Sequence, residues 1–231
     1  MTGFKRAELK RSQLADPNKS KKRTKIRTSK QVWVNDNSDS GFMDEANAFG
    51  ANGELNDPNV ETKKTAIAVS KRIQHATLLN LFDYHSSEPF QIVNYGLGGQ
   101  YNTHPDPFGV HLPQTGLPIS DMNRAAGDRI MTFMIYLSSV ELGGGTAFPA
   151  AGISTEAVEG TAVLWKNMFL DTGVPDPLSI HGGCPVAVGS KWITNKWIHL
   201  YDQMGTFYKC PTEQGPINEL DIIKLWTQNN A

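Results

Sequence analysis

Cysteine is scarce in this chain, with Cys184 and Cys210 the two in 231 residues. Two are too few for a disulfide scaffold, and without CxxC pairs the usual structural zinc site has no ligand set. Long apolar runs are missing as well. The longest, such as Ile130 to Leu137, fall far short of the ~20 residues that cross a bilayer. The opening residues 1–6, MTGFKR, lack the apolar stretch of a signal peptide. No internal repeat or low-complexity tract is present.

Charge is balanced globally and lopsided locally. Net charge is −1, yet the first thirty residues hold eleven of the 22 Lys/Arg against only Glu8 and Asp16. The basic run Lys19 to Arg27 could attract phosphate as a nucleic-acid or nuclear-import patch. It has no aromatic interleaving, so a solvated hairpin or loop is preferred, and neither nucleic acid nor membrane is expected as a partner.

With 39% hydrophobic residues, the composition suits one main globular core. Residues 35–59 are rich in Asn, Asp, Ser and Gly, which favour turns, and read as a long surface loop. Asp57-Pro58 supplies an N-cap and first-turn proline. Ala66, Val69, Ile73, Ala76 and Leu79 then recur at helical spacing, predicting one amphipathic helix to about residue 80. From Phe90 the pattern turns to short β-type runs at 90–95, 130–137, 161–165, 185–188 and 191–200. The predicted fold is mainly β, a double-stranded β-helix or jelly roll, buttressed by helices near the N-terminus. The expected catalytic domain occupies 1–210, with its core at 88–202. The 211–231 tail is either loose or forms a short helix around Glu219 to Trp226.

His104-Pro105-Asp106 sets an imidazole and a carboxylate two residues apart, which extended backbone points to one side. His181 is the candidate third ligand. Two His and one carboxylate on one face of an octahedron leave open positions that suit Fe(II). An isolated HxD is weak evidence, and His75, His85, His111 and His199 look like ordinary helix, loop or strand residues. Lys191 follows ten residues after His181. Gly189-Ser190 reads as a tight hairpin that would return Lys191 beside the strand bearing His181, where a cation could pair with a dicarboxylate. A solvent-facing lysine is the competing reading. Strand alternation puts Lys191, Ile193, Asn195 and Trp197 on one face, so Trp197 could line the same cavity.

Six segments together carry a resemblance. They are residues 91–101 (QIVNYGLGGQY), His104-x-Asp106, Asp128-Arg129-Ile130, 143–149 (GGGTAFP), 160–165 (GTAVLW) and 181–192 (HGGCPVAVGSKW). In order and spacing they resemble the catalytic domain of the collagen prolyl 4-hydroxylase α subunit, over roughly residues 4–210. The resemblance implies that His104, Asp106 and His181 bind Fe(II) and that Lys191 holds the 5-carboxylate of 2-oxoglutarate, with Thr146 and Tyr95 placing hydroxyls nearby. It assigns Arg129, Tyr101 and Trp197 to the catalytic, peptide-facing side. A salt-bridge role for Arg129 and a core role for Trp197 compete with that assignment.

The implied activity is that of a procollagen-proline 4-dioxygenase, an Fe(II)- and 2-oxoglutarate-dependent dioxygenase consuming O2. Peptidyl proline becomes 4-hydroxyproline while 2-oxoglutarate gives succinate and CO2, and L-ascorbate recovers oxidised iron. The implied partners are a proline-rich, collagen-like peptide and, left open, a protein disulfide isomerase β subunit. The implied location is the endoplasmic reticulum lumen, where Cys184 and Cys210 would pair, two reduced thiols being the alternative. Two departures stand out. Pro105 replaces the aromatic residue usual between the first two ligands, and the chain begins inside the catalytic region, which leaves the domain N-terminally incomplete. The rival readings are a related dioxygenase acting on another peptide, a catalytically silent peptide-binding or assembly domain, and a zinc site of His104, Asp106, His181 and Cys184, against which Lys191 stands.

Overall fold

The three longest runs of β-branched and aromatic residues become neighbouring strands of an antiparallel sheet, β3 (Phe90–Tyr95), β12 (Lys191–His199) and β5 (Arg129–Tyr136). β2 (Lys30–Val34) and β1 (Lys10–Arg11) extend it beyond β3, and β9 (Ala162–Lys166) closes it beyond β5. A second sheet has the order β4 (Tyr101–His104), β10 (His181–Gly183), β7 (Thr146–Phe148), β8 (Ile153–Thr155). A short pair joins β6 (Leu142–Gly143) to β11 (Val186–Val188). The computed structural model describes residues 10–11, 28–36, 58–82, 85–108, 126–169 and 172–203. The basic run, most of the 35–59 stretch, His111, Cys210 and the 211–231 tail lie outside the described residues.

The double-sheet, mainly β expectation holds, and cross-strand pairing fixes which residues face the gap between the sheets. On β12, Ile193, Asn195 and Trp197 pair with Tyr136, Met134 and Thr132 of β5, while Lys191 pairs with Tyr95 of β3. Strand alternation sends these to one face, as the sequence predicts. Val93, Tyr95, Met134, Tyr136, Val186 and Ile193 cluster there. Phe90, Ile92 and Ile198 instead join Ala66, Ile73, Leu79 and Leu81 in a second cluster.

That second cluster is covered by α1 (Pro58–Thr77), whose first residue is the proline the sequence marks. The stripe differs from the expected one. Thr62, Ala66, Ser70 and Ile73 are buried, but Ala76 is exposed. The helix stops at Thr77 because Leu78 turns left-handed, with φ of 60°. The exit is then held from within and beyond the helix, since Gln74 Oε1 accepts from Leu81 N at 3.1 Å and Gln203 Oε1 from Asn80 N at 2.8 Å.

Gly189-Ser190 is not a hairpin. β11 pairs with β6, whereas β12 pairs with β3 and β5, so the link carries the chain from one sheet to another. Gly189 takes φ of 92° to make that corner. Lys191 therefore arrives on the large sheet and looks across at β10 instead of lying beside it.

One buried ion pair ties the covered face together. Lys196 on β12 is fully buried, and its ammonium donates to both Asp36 oxygens at 2.8 and 2.7 Å and to Glu88 O at 2.7 Å. Ser70 of α1 donates to the same Asp36 carboxylate. Burial lowers the Lys196 pKa, and Asp36 opposes that shift. Lys196→Met leaves the Asp36 carboxylate buried without its cation, and the expected loss is about 3–5 kcal/mol. Urea unfolding checks this, and adding Asp36→Leu is expected to recover most of it.

Candidate metal and co-substrate site

β10 pairs antiparallel with β4 so that His181 lies opposite His104. Asp106 follows two residues after His104, at a bend just past the end of β4, and its carboxylate comes to the same side as the imidazole. The Nε2 atoms of His104 and His181 lie 3.8 and 3.9 Å from Asp106 Oδ1. One ligand atom from each of the three residues falls within 4.8 Å of the others. Pro105 does not disturb this. It sits just past the end of β4, an edge strand, where no ladder bond needs its missing N–H.

Both rings are oriented by backbone. His104 Nδ1 donates to Asn102 O at 2.8 Å, and His181 Nδ1 donates to Ser179 O at 2.9 Å. A carbonyl only accepts, so in the neutral rings the lone pair sits on Nε2, facing Asp106. The other Asp106 oxygen accepts from Thr132 Oγ1 at 2.6 Å. Two lone pairs and a carboxylate oxygen therefore converge with nothing positive between them. This donor set fits a divalent cation such as Fe(II), with positions left for other ligands.

Lys191 lies across the gap with 2% of its surface exposed. It has no carboxylate partner among the described residues. Its ammonium donates to Gly145 O and Thr146 Oγ1, each at 3.3 Å, and lies 5.5 and 5.3 Å from the Tyr95 and Tyr136 rings. Burial pushes its pKa down to about 8, with Cys184 opposing weakly. A buried cation without a counter-charge is costly, and an anionic ligand would relieve that cost. Gly183 lies alongside, where an added Cβ would stand 3.8 Å from the amine. Gly183 is two residues from His181, roughly 6.6 Å along a strand, which is the scale of a five-carbon dicarboxylate. Thr146 and the Tyr95 ring thus lie around Lys191.

Tyr136 was not anticipated. Its hydroxyl bonds Thr146 Oγ1 and Thr155 Oγ1, both at 2.8 Å, and burial raises its pKa. Its inward parity on β5, four residues from Thr132, was the available signal. Trp165 and Phe148 were also missed, and their rings pack 4.7 and 5.5 Å from that of His181.

Tyr101 stacks on His104 at 3.8 Å. Arg129 lies between the Trp197 ring, at 3.7 Å, and the Phe108 ring, at 4.2 Å, and its Nη1 reaches Asp106 O at 3.4 Å. It also grips Glu88 with two bonds of 2.5 and 2.7 Å, so the competing salt-bridge role is present. Trp197 is buried at 6% exposure and touches Trp33, which joins the core role to the cavity-facing one. His199, read as an ordinary strand residue, is fully buried against Glu88, with Nε2 to Oε1 at 3.1 Å. Cys184 is a free thiol, and its implied partner Cys210 is outside the described residues.

Residues 90–199 match the 2OG-Fe(II) oxygenase superfamily. The chain carries a 2OG-Fe(II) oxygenase domain. All nine candidate site residues fall within that oxygenase stretch. Among curated proteins, prolyl 4-hydroxylase subunit alpha-3 of Homo sapiens is 47% identical over 117 residues, covering 51% of this chain and 20% of that protein. Prolyl 4-hydroxylase subunit alpha-1 of Rattus norvegicus is 35% identical over 192 residues, covering 83% of this chain and 30% of that protein. The chain thus spans less than a third of these relatives' length. A prolyl hydroxylase from Trichoplax adhaerens, solved with a hypoxia inducible factor oxygen degradation domain peptide, shares the oxygenase fold. It is 16% identical with a TM-score of 0.50, covering 90% of this chain and 78% of that one.

Burial alone would raise the Glu88 pKa, but the Arg129 charge and the His199 and Arg129 hydrogen bonds bring it from 4.5 down to about 2. A depressed carboxylate stabilises the fold fully above its unfolded pKa and loses that contribution as pH falls. About 3 kcal/mol is therefore expected to disappear between roughly pH 4.5 and pH 2. Acid unfolding of the wild type and Glu88→Gln checks this. The variant should be weaker at pH 7 and lose less stability across that window.

Proposed function

We propose that this chain is a prolyl 4-hydroxylase that converts proline in collagen-like, proline-rich peptides to 4-hydroxyproline. The observation that carries the reading is the pairing of a His104, Asp106, His181 donor set with the uncompensated ammonium of Lys191 across the same gap. The first suits Fe(II), and the second suits the distal carboxylate of 2-oxoglutarate. When bound, iron with 2-oxoglutarate and O2 supplies the oxidising power, one oxygen atom entering the proline C4–H bond and the other the succinate formed with CO2.

The protein residues bind, orient and shield. His104, Asp106 and His181 would hold the metal, their donor groups oriented by Asn102, Thr132 and Ser179. Lys191 and Thr146 would fix the far end of the co-substrate, with Tyr95 as a wall beside it. Arg129, Tyr101 and Trp197 gather beside His104 and Asp106, where an incoming peptide would meet aromatic faces and a guanidinium. Proline rings pack well on such faces. The prolyl 4-hydroxylase subunits among the relatives support proline as the target, and their being subunits supports a partner chain such as a protein disulfide isomerase. An endoplasmic reticulum location and L-ascorbate as the reductant that restores Fe(II) belong to the same proposal.

A Pro-Pro-Gly repeat peptide incubated with the protein, Fe(II), 2-oxoglutarate and ascorbate should gain the mass of one oxygen per turnover, with matching succinate. His181→Ala should abolish both. Unchanged peptide mass alongside normal succinate release would sink the proline assignment. Lys191→Ala is expected to weaken 2-oxoglutarate binding about 100-fold, the size of a lost charge-assisted contact. Because the anion binds the ammonium, affinity should be full below about pH 8 and fall toward tenfold per pH unit above it. Calorimetric titration from acid to alkaline pH checks the trend, which Lys191→Ala should flatten.

A further inference from the structure

Asn167 sits one residue beyond β9, fully buried, and the proposed function makes no use of it. Its Nδ2 donates to Thr132 Oγ1 at 2.8 Å, and Thr132 Oγ1 donates to Asp106 Oδ2 at 2.6 Å. The direction of this relay is forced. A hydroxyl has one proton, and an ionised carboxylate only accepts, so the Thr132 proton goes to Asp106 and the atom facing Thr132 from Asn167 must be the amide nitrogen. The other end of that amide, Oδ1, is buried without a partner among the described residues. An uncompensated acceptor is tolerated there while the donor is aimed at Thr132.

The main chain of the same residue reaches a second ligand. Asn167 O accepts from Asp176 N at 2.9 Å and lies 3.3 Å from Ser179 Oγ, whose proton goes to Asp176 O at 2.7 Å, and Ser179 O in turn orients His181 through Nδ1 at 2.9 Å. Asn167 N is itself bonded to Ile130 O of β5 at 2.7 Å. One residue therefore sits between the strand that caps Asp106 and the turn that aims His181.

We propose that Asn167 is the positioning residue of the metal centre, fixing Asp106 through Thr132 and His181 through the 176–179 turn. The inference rests on reading the trio as a metal site. With Oδ2 occupied by Thr132, Asp106 offers only Oδ1 to the metal, so it binds through one oxygen and keeps another position open. Without the amide, the Thr132 hydroxyl and the Asp106 carboxylate can rotate together.

The test titrates Co(II), standing in for Fe(II), into the metal-free full chain and follows its visible spectrum. Wild type should bind, and His181→Ala should not. Asn167→Leu, of similar size, should lower Co(II) affinity 10–100-fold and alter the spectrum, while metal-free thermal unfolding stays cooperative. Thr132→Val should do the same, and the double variant should lose no more than Thr132→Val alone, because both act on one chain of bonds. If Asn167→Leu does not fold, Asn167→Ser carries the same expectation, its side chain being too short to reach Thr132. Folded Asn167 variants with wild-type affinity and spectrum, or losses that multiply in the double variant, overturn the proposal. Wild-type Co(II) binding that is indifferent to His181→Ala would instead overturn the metal site itself, which separates the two failures.

Discussion

The register between β10 and β4 is the constraint on which the site depends. His181 faces His104 across that ladder, and a slip of one residue would send one imidazole to the opposite side of the sheet. Bare backbone helps to hold it. A Cβ on Gly182 would come within 3.0 Å of Tyr101 O and 3.1 Å of Thr103 N, so any side chain there would press β4 outward by a few tenths of an ångström. An irregularity between His181 and Gly183 then shifts the pairing as the chain leaves the metal side.

The two sheets divide the work. The small sheet and the residues after β4 bring the donor atoms and orient both imidazoles, while the large sheet supplies the hydroxyl that fixes Asp106 and the cation that faces the site. β12 shows the division within a single strand. Its two buried lysines point to opposite faces with opposite electrostatics. Lys196 is neutralised by Asp36 among helix and strand residues, which makes it structural. Among the described residues Lys191 meets hydroxyl, carbonyl and ring faces and no carboxylate, which leaves its charge available to a ligand. β12 is buried on both faces between β3 and β5, with Trp197 and Lys191 along one inward row.

Much of this was legible in the chain because short-range rules govern it. Lys191, Asn195 and Trp197 share a face through strand parity, and the two-residue spacing of His104 and Asp106 keeps their donor atoms close. β3, β5 and β12 stand out as long runs of apolar and β-branched residues. Longer-range facts were not legible. Glu88 meets Arg129 at a separation of 41 residues and His199 at 111, so neither partner could be read from its neighbours. β4, β7, β8 and β10 have three or four residues each, too few to show alternation. The Gly189-Ser190 link has the chemistry of a hairpin, and its strands separate only because β6 captures β11. The helix ends at Thr77 instead of near residue 80 because Leu78 turns left-handed, a change that neighbouring residue types do not announce.

Lys191 reaching across from the opposite sheet turns the spacing between layers into a gauge. On the proposed reading, the metal grips one end of a dicarboxylate from one sheet and the amine grips the other end from the other sheet. Selection for five carbons over four or six is then a property of how far apart the layers stand, which packing residues such as Met134 and Ile193 set without touching the ligand's charged ends. Drift of those core side chains in size would retune which keto acid fits while every polar group of the site stayed in place.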